Sequence, residues 1–252
     1  MLTHIRSEND LDAALAALTS ADSRFGPLLT RAGRPSLRRR PDGFAGLASI
    51  VVSQQLSTAS AGAIWARLAA AFDPFEPRAI MRARPVRLAR LGLSAPKIRA
   101  LKEIARAVAS EQLALSALAD IAADEAHAAL TAVHGIGPWT ADIYLLTCLG
   151  HADAWPAGDL ALQEAVRLAF ALPARPNAKE MLALAEIWRP LRAIAARVLW
   201  TYYRAIKGRE GAPVSAPQLP KISPEGSRKQ LSGEQARIKN SGSKRGRNGR
   251  SA

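Results

Sequence analysis

A glycine-rich turn is the first feature of the sequence whose residue types suit chemistry. The stretch HGIGP at 134–138 places two glycines around one isoleucine, which allows a tight turn between two helices. Pro138 suits the first turn of the helix that follows, where a missing N–H costs little. Backbone N–H groups at the N-terminus of a helix bind anions, so the turn is a candidate phosphate site. The candidate contacts are His134, Gly135, Ile136, Gly137 and Thr140.

Other interpretations also apply to this turn. A Gly-x-Gly loop that binds a dinucleotide follows a β-strand, whereas residues 124–133 are predicted to be helical, which argues against such a loop. A turn that only packs two helices together, with Ile136 plugging the gap between them, stays open. His134 has two interpretations as well, as a phosphate contact or as an exposed histidine without a role.

A single aspartate follows this turn at a position that could bring a carboxylate to it. Asp159 comes twenty residues after Trp139, follows an extended approach through Pro156 and Gly158, and starts an apolar helix. An aspartate at that position caps the helix, because its side chain accepts bonds from free N–H groups. The intervening helix would also return the carboxylate to the face of the phosphate site. Capping and a chemical role beside a bound phosphate therefore both stay open.

The segments around these residues are predicted to be helical throughout. Apolar residues recur at spacings of three and four, alanine is abundant, and no sustained alternation typical of strands occurs. A first helix is expected to be capped by Asn9 or Asp10, and another by Asp42. The fold class predicted is all-α, without an internal repeat. The helices nearest the turn and the aspartate are expected over 124–132, 139–149, 159–171, 178–187 and 190–206.

The positive charge of the chain is concentrated at its C-terminal end. The 252 residues carry a formal net charge of +14, and residues 207–252 contribute eleven positive and three negative charges. That segment has no aromatic residue and is rich in Gly, Pro and Ser, so 208–252 is predicted to be a disordered basic tail after a folded domain over 1–207. A strongly basic chain favours a polyanionic partner. The tail is either a non-specific phosphate-binding arm or a solubilising segment without a specific role.

Cysteine content and the lengths of apolar runs exclude several classes of protein. Cys148 is the single cysteine, so an internal disulfide, a four-cysteine zinc site and a four-cysteine iron–sulfur cluster are excluded. No apolar run approaches the roughly 20 residues of a membrane helix. The N-terminus lacks the apolar stretch of a signal peptide, and no spacing typical of metal ligands occurs. We expect a cytoplasmic protein without a metal centre.

Several segments together resemble one known family. HGIGPWTAD at 134–142 followed by WPAGDLAL at 155–162 is similar to the 3-methyladenine DNA glycosylase II branch of the helix-hairpin-helix DNA glycosylase superfamily. The resemblance extends over most of 40–206, including SIVVSQQLS at 49–57, LGLSAPKIRALKEIA at 91–105 and IWRPLRAIAARVLW at 187–200. It implies two helical subdomains with an active-site cleft between them and a hairpin over 124–149. Larger members carry an additional β-rich domain, so the chain resembles a compact form without it.

The resemblance also implies roles for individual residues. Asp159 is implied to be the catalytic carboxylate, and Trp139 occupies the place where bifunctional members carry a nucleophilic lysine. No lysine lies between Lys102 and Lys179, so we expect a monofunctional enzyme that does not cleave the strand. The implied base pocket contains Trp139, Trp200 and Tyr144. The side chain that fills the gap left by a flipped base is expected among Gln54, Gln55 and Leu56.

Each of these assignments has a plainer alternative that stays open. The aromatic residues could equally belong to the hydrophobic core, and Gln54, Gln55 and Leu56 to an ordinary polar helix end. The hairpin and Asp159 are the more specific part of the signature.

The activity that the resemblance implies is hydrolysis of the N-glycosidic bond of alkylated purines in base excision repair. A carboxylate stabilises the oxocarbenium character that develops on the sugar. A positively charged base of the 3-methyladenine or 7-methylguanine type leaves without a general acid. Two alternatives stay open: the same fold acting on hypoxanthine, uracil or an oxidised purine, and a non-catalytic helix-hairpin-helix DNA-binding protein.

The expected partner is double-stranded DNA that contains damaged bases, bound by a monomer. No cofactor is expected, although the superfamily allows a monovalent cation held by carbonyls of the hairpin. No membrane association is expected, because the basic tail has no hydrophobic anchor. The expected location is the bacterial cytoplasm, with association to the nucleoid through DNA binding.

Overall fold

The structure, a computed structural model, describes residues 2–208 and consists of helices joined by short turns. Within that range no β-strand forms, so the predicted all-α class is confirmed. The predicted tail at 208–252 lies outside the described residues, apart from Gly208. The α-helices of residues 2–208 are α1 (Glu8–Ala21), α2 (Phe25–Ala32), α3 (Gly43–Ser53), α4 (Thr58–Ala71), α5 (Pro77–Arg82), α6 (Pro85–Arg90), α7 (Ala95–Ala109), α8 (Ala123–Thr131), α9 (Pro138–Tyr144), α10 (Leu160–Ala169), α11 (Ala178–Ala185) and α12 (Arg192–Lys207).

The N-cap of the first helix lies two to three residues before the predicted caps, Asn9 and Asp10. Ser7 is the N-cap: its side chain accepts a bond from the Asp10 N–H, and the Asp10 carboxylate accepts one from the Ser7 N–H, which forms a capping box. The predicted cap at Asn9 is therefore wrong, and Asp10 acts from inside the first turn. The apolar face of α1 is buried and consists of Leu11, Ala14, Leu15 and Leu18.

The sequence analysis missed α2, because its first turn contains Gly26 and Pro27, which weaken any helical pattern. Asp42 lies at the N-cap position of α3 as predicted, but its side chain makes no capping bond there. Most later helices agree with their predicted ranges to within about two residues, which is the ordinary uncertainty of helix ends. The helix predicted over 139–149 is the exception, because its α-helical part ends at Tyr144 and a π-helical turn continues to Leu149.

The helices form two groups, as expected for two helical subdomains. In one group α3 packs against α4 and α7, and α7 also contacts α5 and α6. In the other group α12 is the central helix and packs against α1, α2 and α10. The helix α9 contacts α3, which belongs to the first group, and it also contacts α8. The glycine-rich turn between α8 and α9 therefore lies next to the first group.

The segment from Pro138 to Gly150 follows the glycine-rich turn and is largely buried. After α9, the chain continues as a π-helical turn over Leu145–Leu149, and every residue from Thr140 to Leu149 is buried. The turn ends at Gly150, whose left-handed backbone suits glycine. From there a loop leads to α10. In the described part of the chain no helix is long and apolar enough to cross a membrane.

Candidate active site

Asp159 lies at the N-terminus of α10 and caps it. Its Oδ1 atom accepts a hydrogen bond from the Leu162 N–H at 2.8 Å, and its own N–H donates to the Pro156 carbonyl at 2.9 Å. The side chain is nearly buried, with 6% of the residue exposed. The capping interpretation is thus correct as geometry, and it leaves one carboxylate oxygen for other partners.

Two tryptophans bring their indole N–H groups to the same carboxylate. Trp139 Nε1 donates to Asp159 Oδ2 at 2.9 Å, and Trp200 Nε1 donates to Asp159 Oδ1 at 3.1 Å. Trp139 comes from the first turn of α9, and Trp200 comes from the middle of α12. Three helices therefore hold one carboxylate in place, with a donor on each.

These donors are all neutral, so they orient the Asp159 carboxylate without supplying a counterion. Within residues 2–208, no lysine or arginine side chain forms an ion pair with Asp159. A fixed, uncompensated negative charge stabilises positive charge that develops beside it. Both tryptophans were predicted as base-pocket residues, but their role as donors to Asp159 was not predicted.

The turn between α8 and α9 has the compact form that its glycines predict. Ile136 is buried and its N–H donates to the Val133 carbonyl at 3.1 Å. Gly135 has a φ of +98°, and a Cβ atom there would lie 2.8 Å from the Ala100 Cα, so a side chain is excluded by sterics. Gly137 is the N-cap of α9 and provides no side-chain cap, which leaves first-turn N–H groups for an outside acceptor.

The structure corrects one predicted phosphate contact, Ile136, and leaves Thr140 its backbone N–H, in the first turn of α9, as the predicted phosphate donor. The Ile136 N–H is used inside the turn, so Ile136 packs the hairpin and has no donor left for a phosphate. The Thr140 side chain is buried, and its Oγ1 accepts a bond from Gln54 Nε2 at 2.7 Å. His134 and Gly137 are exposed, and they stay predicted contacts together with the partly exposed Gly135.

The predicted wedge segment follows α3 and divides into an anchor and an exposed tip. Gln54 is held by Thr140, and its carbonyl accepts a bond from Lys97 Nζ at 2.7 Å, so its side chain is not free to enter a base stack. Gln55 is exposed and has a φ of 55°, a left-handed conformation that is strained for a residue with a side chain. Leu56 is 38% exposed. Gln55 and Leu56 stay the candidates for insertion.

Tyr144 does not line an open pocket in this structure. Its side chain is completely buried, with 0% of the residue exposed, and burial raises the pKa of its hydroxyl. A base could reach it only if the core opened, so the predicted pocket role of Tyr144 is corrected to a core role. Of the three predicted pocket residues, Trp139 and Trp200 are the ones that meet at Asp159.

A cavity of about 570 Å³ is lined by Trp139 and by Gly158, the residue before Asp159. Asp142 is its buried acid, and burial raises the pKa of this carboxyl well above its ordinary range. His127 Nε2 lies 3.8 Å from Asp142 Oδ1, and burial lowers the pKa of this histidine. Neither this cavity nor its pair His127 and Asp142 was predicted from the sequence. Its lining includes Asp124, His127, Trp139, Asp142, Trp155 and Leu182.

Arg192, Asp124 and Asp153 line this cavity and belong to a cluster of ion pairs. Arg192 is almost fully buried and binds Asp153 at 2.8 Å and Asp124 at 3.1 Å. Arg189 binds the same two carboxylates, at 2.5 and 3.0 Å. Their residues are far apart in the sequence, and no local spacing links them, so only the folded chain shows that they form one cluster.

Comparisons with known proteins agree with this geometry. Residues 48–190 match the family described as HhH-GPD superfamily base excision DNA repair protein. The DNA-3-methyladenine glycosylase 1 of Schizosaccharomyces pombe is 33% identical over 181 residues, which cover 68% of this chain and 75% of that protein.

Two solved structures are similar over most of the described chain. One is the S. pombe 3-methyladenine DNA glycosylase in complex with abasic DNA, with a TM-score of 0.66, 29% identity, and coverage of 76% of this chain and 95% of that one. The other is a DNA-3-methyladenine glycosidase from Bacillus halodurans, with a TM-score of 0.69, 27% identity, and coverage of 82% and 94%.

Proposed function

The chain belongs to the HhH-GPD superfamily of base excision DNA repair proteins, and we propose that it hydrolyses the N-glycosidic bond of alkylated purines in DNA. Its relatives include proteins named DNA-3-methyladenine glycosylase, from S. pombe and from Bacillus subtilis. The observation that carries the proposal is the Asp159 carboxylate, which three neutral N–H groups fix and no cation neutralises within residues 2–208.

Asp159 stabilises the positive charge that develops on the deoxyribose as the bond to the base breaks. The same carboxylate orients the attacking water and accepts its proton. Both Trp139 and Trp200 keep the carboxylate from rotating away from the sugar, because each indole N–H binds a different oxygen. A base that is already cationic leaves as a neutral molecule, so no second carboxylate has to act as a general acid.

The target nucleotide must leave the duplex before its sugar can reach Asp159, at a cost of a few kcal/mol. Gln55 or Leu56 fills the gap that the flipped base leaves, since both are exposed at the tip of the segment that Gln54 anchors. First-turn N–H groups of α9 bind a phosphate next to the flipped nucleotide. The ring faces of Trp139 and Trp200 offer a cationic base an attraction of about 0.5–2 kcal/mol.

The reaction proposed is base removal without strand cleavage. Trp139 stands where an attacking lysine would be needed, and no lysine occurs between Lys102 and Lys179. No step of this mechanism is assigned to a metal or a cofactor, although hairpin carbonyls could hold a monovalent cation. We further propose that the protein acts as a monomer on damaged duplex DNA, in the bacterial cytoplasm and in association with the nucleoid.

The test is a panel of duplexes that each contain one damaged base. The full-length protein is incubated with substrates carrying 3-methyladenine, 7-methylguanine, hypoxanthine, uracil or 8-oxoguanine, and the released bases are separated by chromatography. We expect release of the two methylated purines and intact strands until alkali is added. Asp159→Asn, purified in the same way, controls for a contaminating glycosylase.

Three results would contradict the proposal. Release of only uracil, hypoxanthine or 8-oxoguanine would assign the site to another base, and release of no base would favour a DNA-binding protein without catalysis. Strand breaks before alkali treatment would contradict the absence of lyase activity.

A further inference from the structure

A strongly basic segment lies outside the site around Asp159 and comprises α5, α6 and the start of α7. Between Pro77 and Lys102 the chain carries eight lysines and arginines and no acidic residue. Six of the eight are exposed arginines. In the described residues none of these six forms an ion pair with a carboxylate. We call this set the arginine face, and its members are Arg78, Arg82, Arg84, Arg87, Arg90 and Arg99.

Most of the arginine face has no structural task that explains its charge. Arg87 is the exception: it donates to the Ala71 carbonyl at 2.8 Å and lies over the Phe72 ring at 4.4 Å from the centroid. The two lysines of the segment, in contrast, are used within the fold. Lys97 binds two carbonyls at the end of α3, and Lys102 binds two carbonyls at the end of α5.

These lysine contacts place the arginine face next to the hairpin and the wedge segment. Lys97 Nζ binds the Gln54 carbonyl, and Ala100 on the same helix packs against Gly135. Lys102 lies five residues further along α7 than Lys97, a rise of about 7.5 Å, and it holds the Ala83 carbonyl. Arg82 and Arg84 flank Ala83, so they are close to the level of the hairpin.

We propose that the arginine face binds phosphates of the duplex that flanks the target nucleotide, as a second DNA contact beside the hairpin. This inference rests on the proposed function in so far as it takes DNA as the polyanion. Arginine suits the role because its guanidinium forms bidentate bonds to phosphate. Short helices that begin with Pro77 and Pro85 present these side chains from a rigid backbone. The face contributes affinity independent of base sequence and no step of the reaction.

The test compares the full-length protein with Arg82→Gln/Arg84→Gln and with a control variant. The control is Arg6→Gln, because Arg6 follows Ile5, whose N–H binds the Gly150 carbonyl, at the end of the buried segment opposite to the hairpin. Binding to an undamaged duplex is measured over a range of salt concentrations. Each lost phosphate contact lowers the slope of log K against log salt by about 0.9, so we expect a decrease of about 2 for the double variant and little change for the control.

Two further measurements test the selectivity of the arginine face and its distance from the chemistry. Binding to single-stranded RNA and to anionic lipid vesicles shows whether the face selects duplex DNA. Single-turnover base release at saturating enzyme shows whether the double variant still performs the reaction at the wild-type rate, as we expect. If the wild type releases no base, the proposed function fails, while the salt slopes still test the face.

A salt slope for the double variant equal to that of Arg6→Gln would overturn the inference. An equal loss of binding to vesicles or to RNA would also overturn it, because the face would then be a general polyanion surface.

Discussion

Asp159 and Asp153 are two largely buried aspartates only six residues apart, and they differ in the charge of their hydrogen-bond partners. Asp153 binds the guanidinium groups of Arg192 and Arg189. Asp159 binds two indole N–H groups and one backbone N–H. The first carboxylate is neutralised by its partners, and the second is only oriented by them.

The difference separates a structural carboxylate from a chemical one. An arginine beside Asp159 would neutralise the charge that has to stabilise an oxocarbenium ion, whereas an indole N–H fixes the geometry and leaves the charge in place. At Asp153 the arginine is needed, because an unpaired charge buried under the cavity would destabilise the fold. Substitutions at the partners of each aspartate test the two halves of this contrast.

Removing the buried arginine has the largest expected effect. Arg192→Met removes the most buried partner of Asp153 and leaves Arg189 in place, so we expect a loss of about 1.5–3 kcal/mol in the free energy of unfolding, measured with denaturant. The matched control is Arg106→Met, which breaks an exposed ion pair with Glu103 and should change the stability little, because solvent screens an exposed pair. Equal losses in the two variants would contradict a structural role for the Arg192 cluster.

Removing one indole N–H from Asp159 has the next largest effect. A hydrogen bond to a charged group contributes about 1.5–3 kcal/mol, so Trp139→Phe and Trp200→Phe should each slow single-turnover base release by roughly 10- to 100-fold. Trp155→Phe is the control, since its indole donates to the Met181 carbonyl and not to Asp159. A full rate in both site variants would show that the carboxylate needs no indole to hold it.

The third prediction concerns pH and Asp142, the buried acid of the neighbouring cavity. Because burial raises the pKa of its carboxyl in the folded state, folding favours the protonated form. The wild type should therefore lose stability as the pH rises from the ordinary range of an aspartate through the raised pKa. Asp142→Asn should remove this loss and be more stable than the wild type at neutral pH.

Chemical unfolding at several pH values measures this difference. The neighbouring charged residues Asp124, His127, Asp153 and Arg192 are present in both proteins, so the difference between the two curves reports on Asp142. Parallel curves for wild type and variant would mean that Asp142 is ionised in the fold at neutral pH.

Local patterns were enough to predict most helices, the hairpin and the position of Asp159. Each depends on residues close together in the sequence: a 3.6-residue apolar period, two glycines beside a proline, and an acid at a helix start. Family resemblance added Trp200, which is remote in the sequence from Asp159. Its contact with Asp159 through the indole edge depends on how α9, α10 and α12 cross, and no sequence pattern encodes that.

The same reason explains what the sequence analysis assigned incorrectly or missed. Tyr144 looked like a pocket aromatic, but its place on α9 turns it into the core. Gln54 looked like a wedge, but α9 brings Thr140 within 2.7 Å of its amide. Asp142 was assigned no role from the sequence, and only the packing around α9 shows that it is the buried acid of a cavity.

The most direct test of the central claim is the rate of base release by Asp159→Asn. Asparagine caps a helix about as well as aspartate, so the variant should fold with nearly unchanged stability and still bind duplex DNA. It lacks the negative charge and one of the two carboxylate oxygens, so one of the two indole N–H groups also loses its acceptor. Under single-turnover conditions on a duplex that contains 7-methylguanine, we predict a rate at least about 100-fold below the wild type. A variant that binds DNA and releases the base within about tenfold of the wild-type rate would contradict the account.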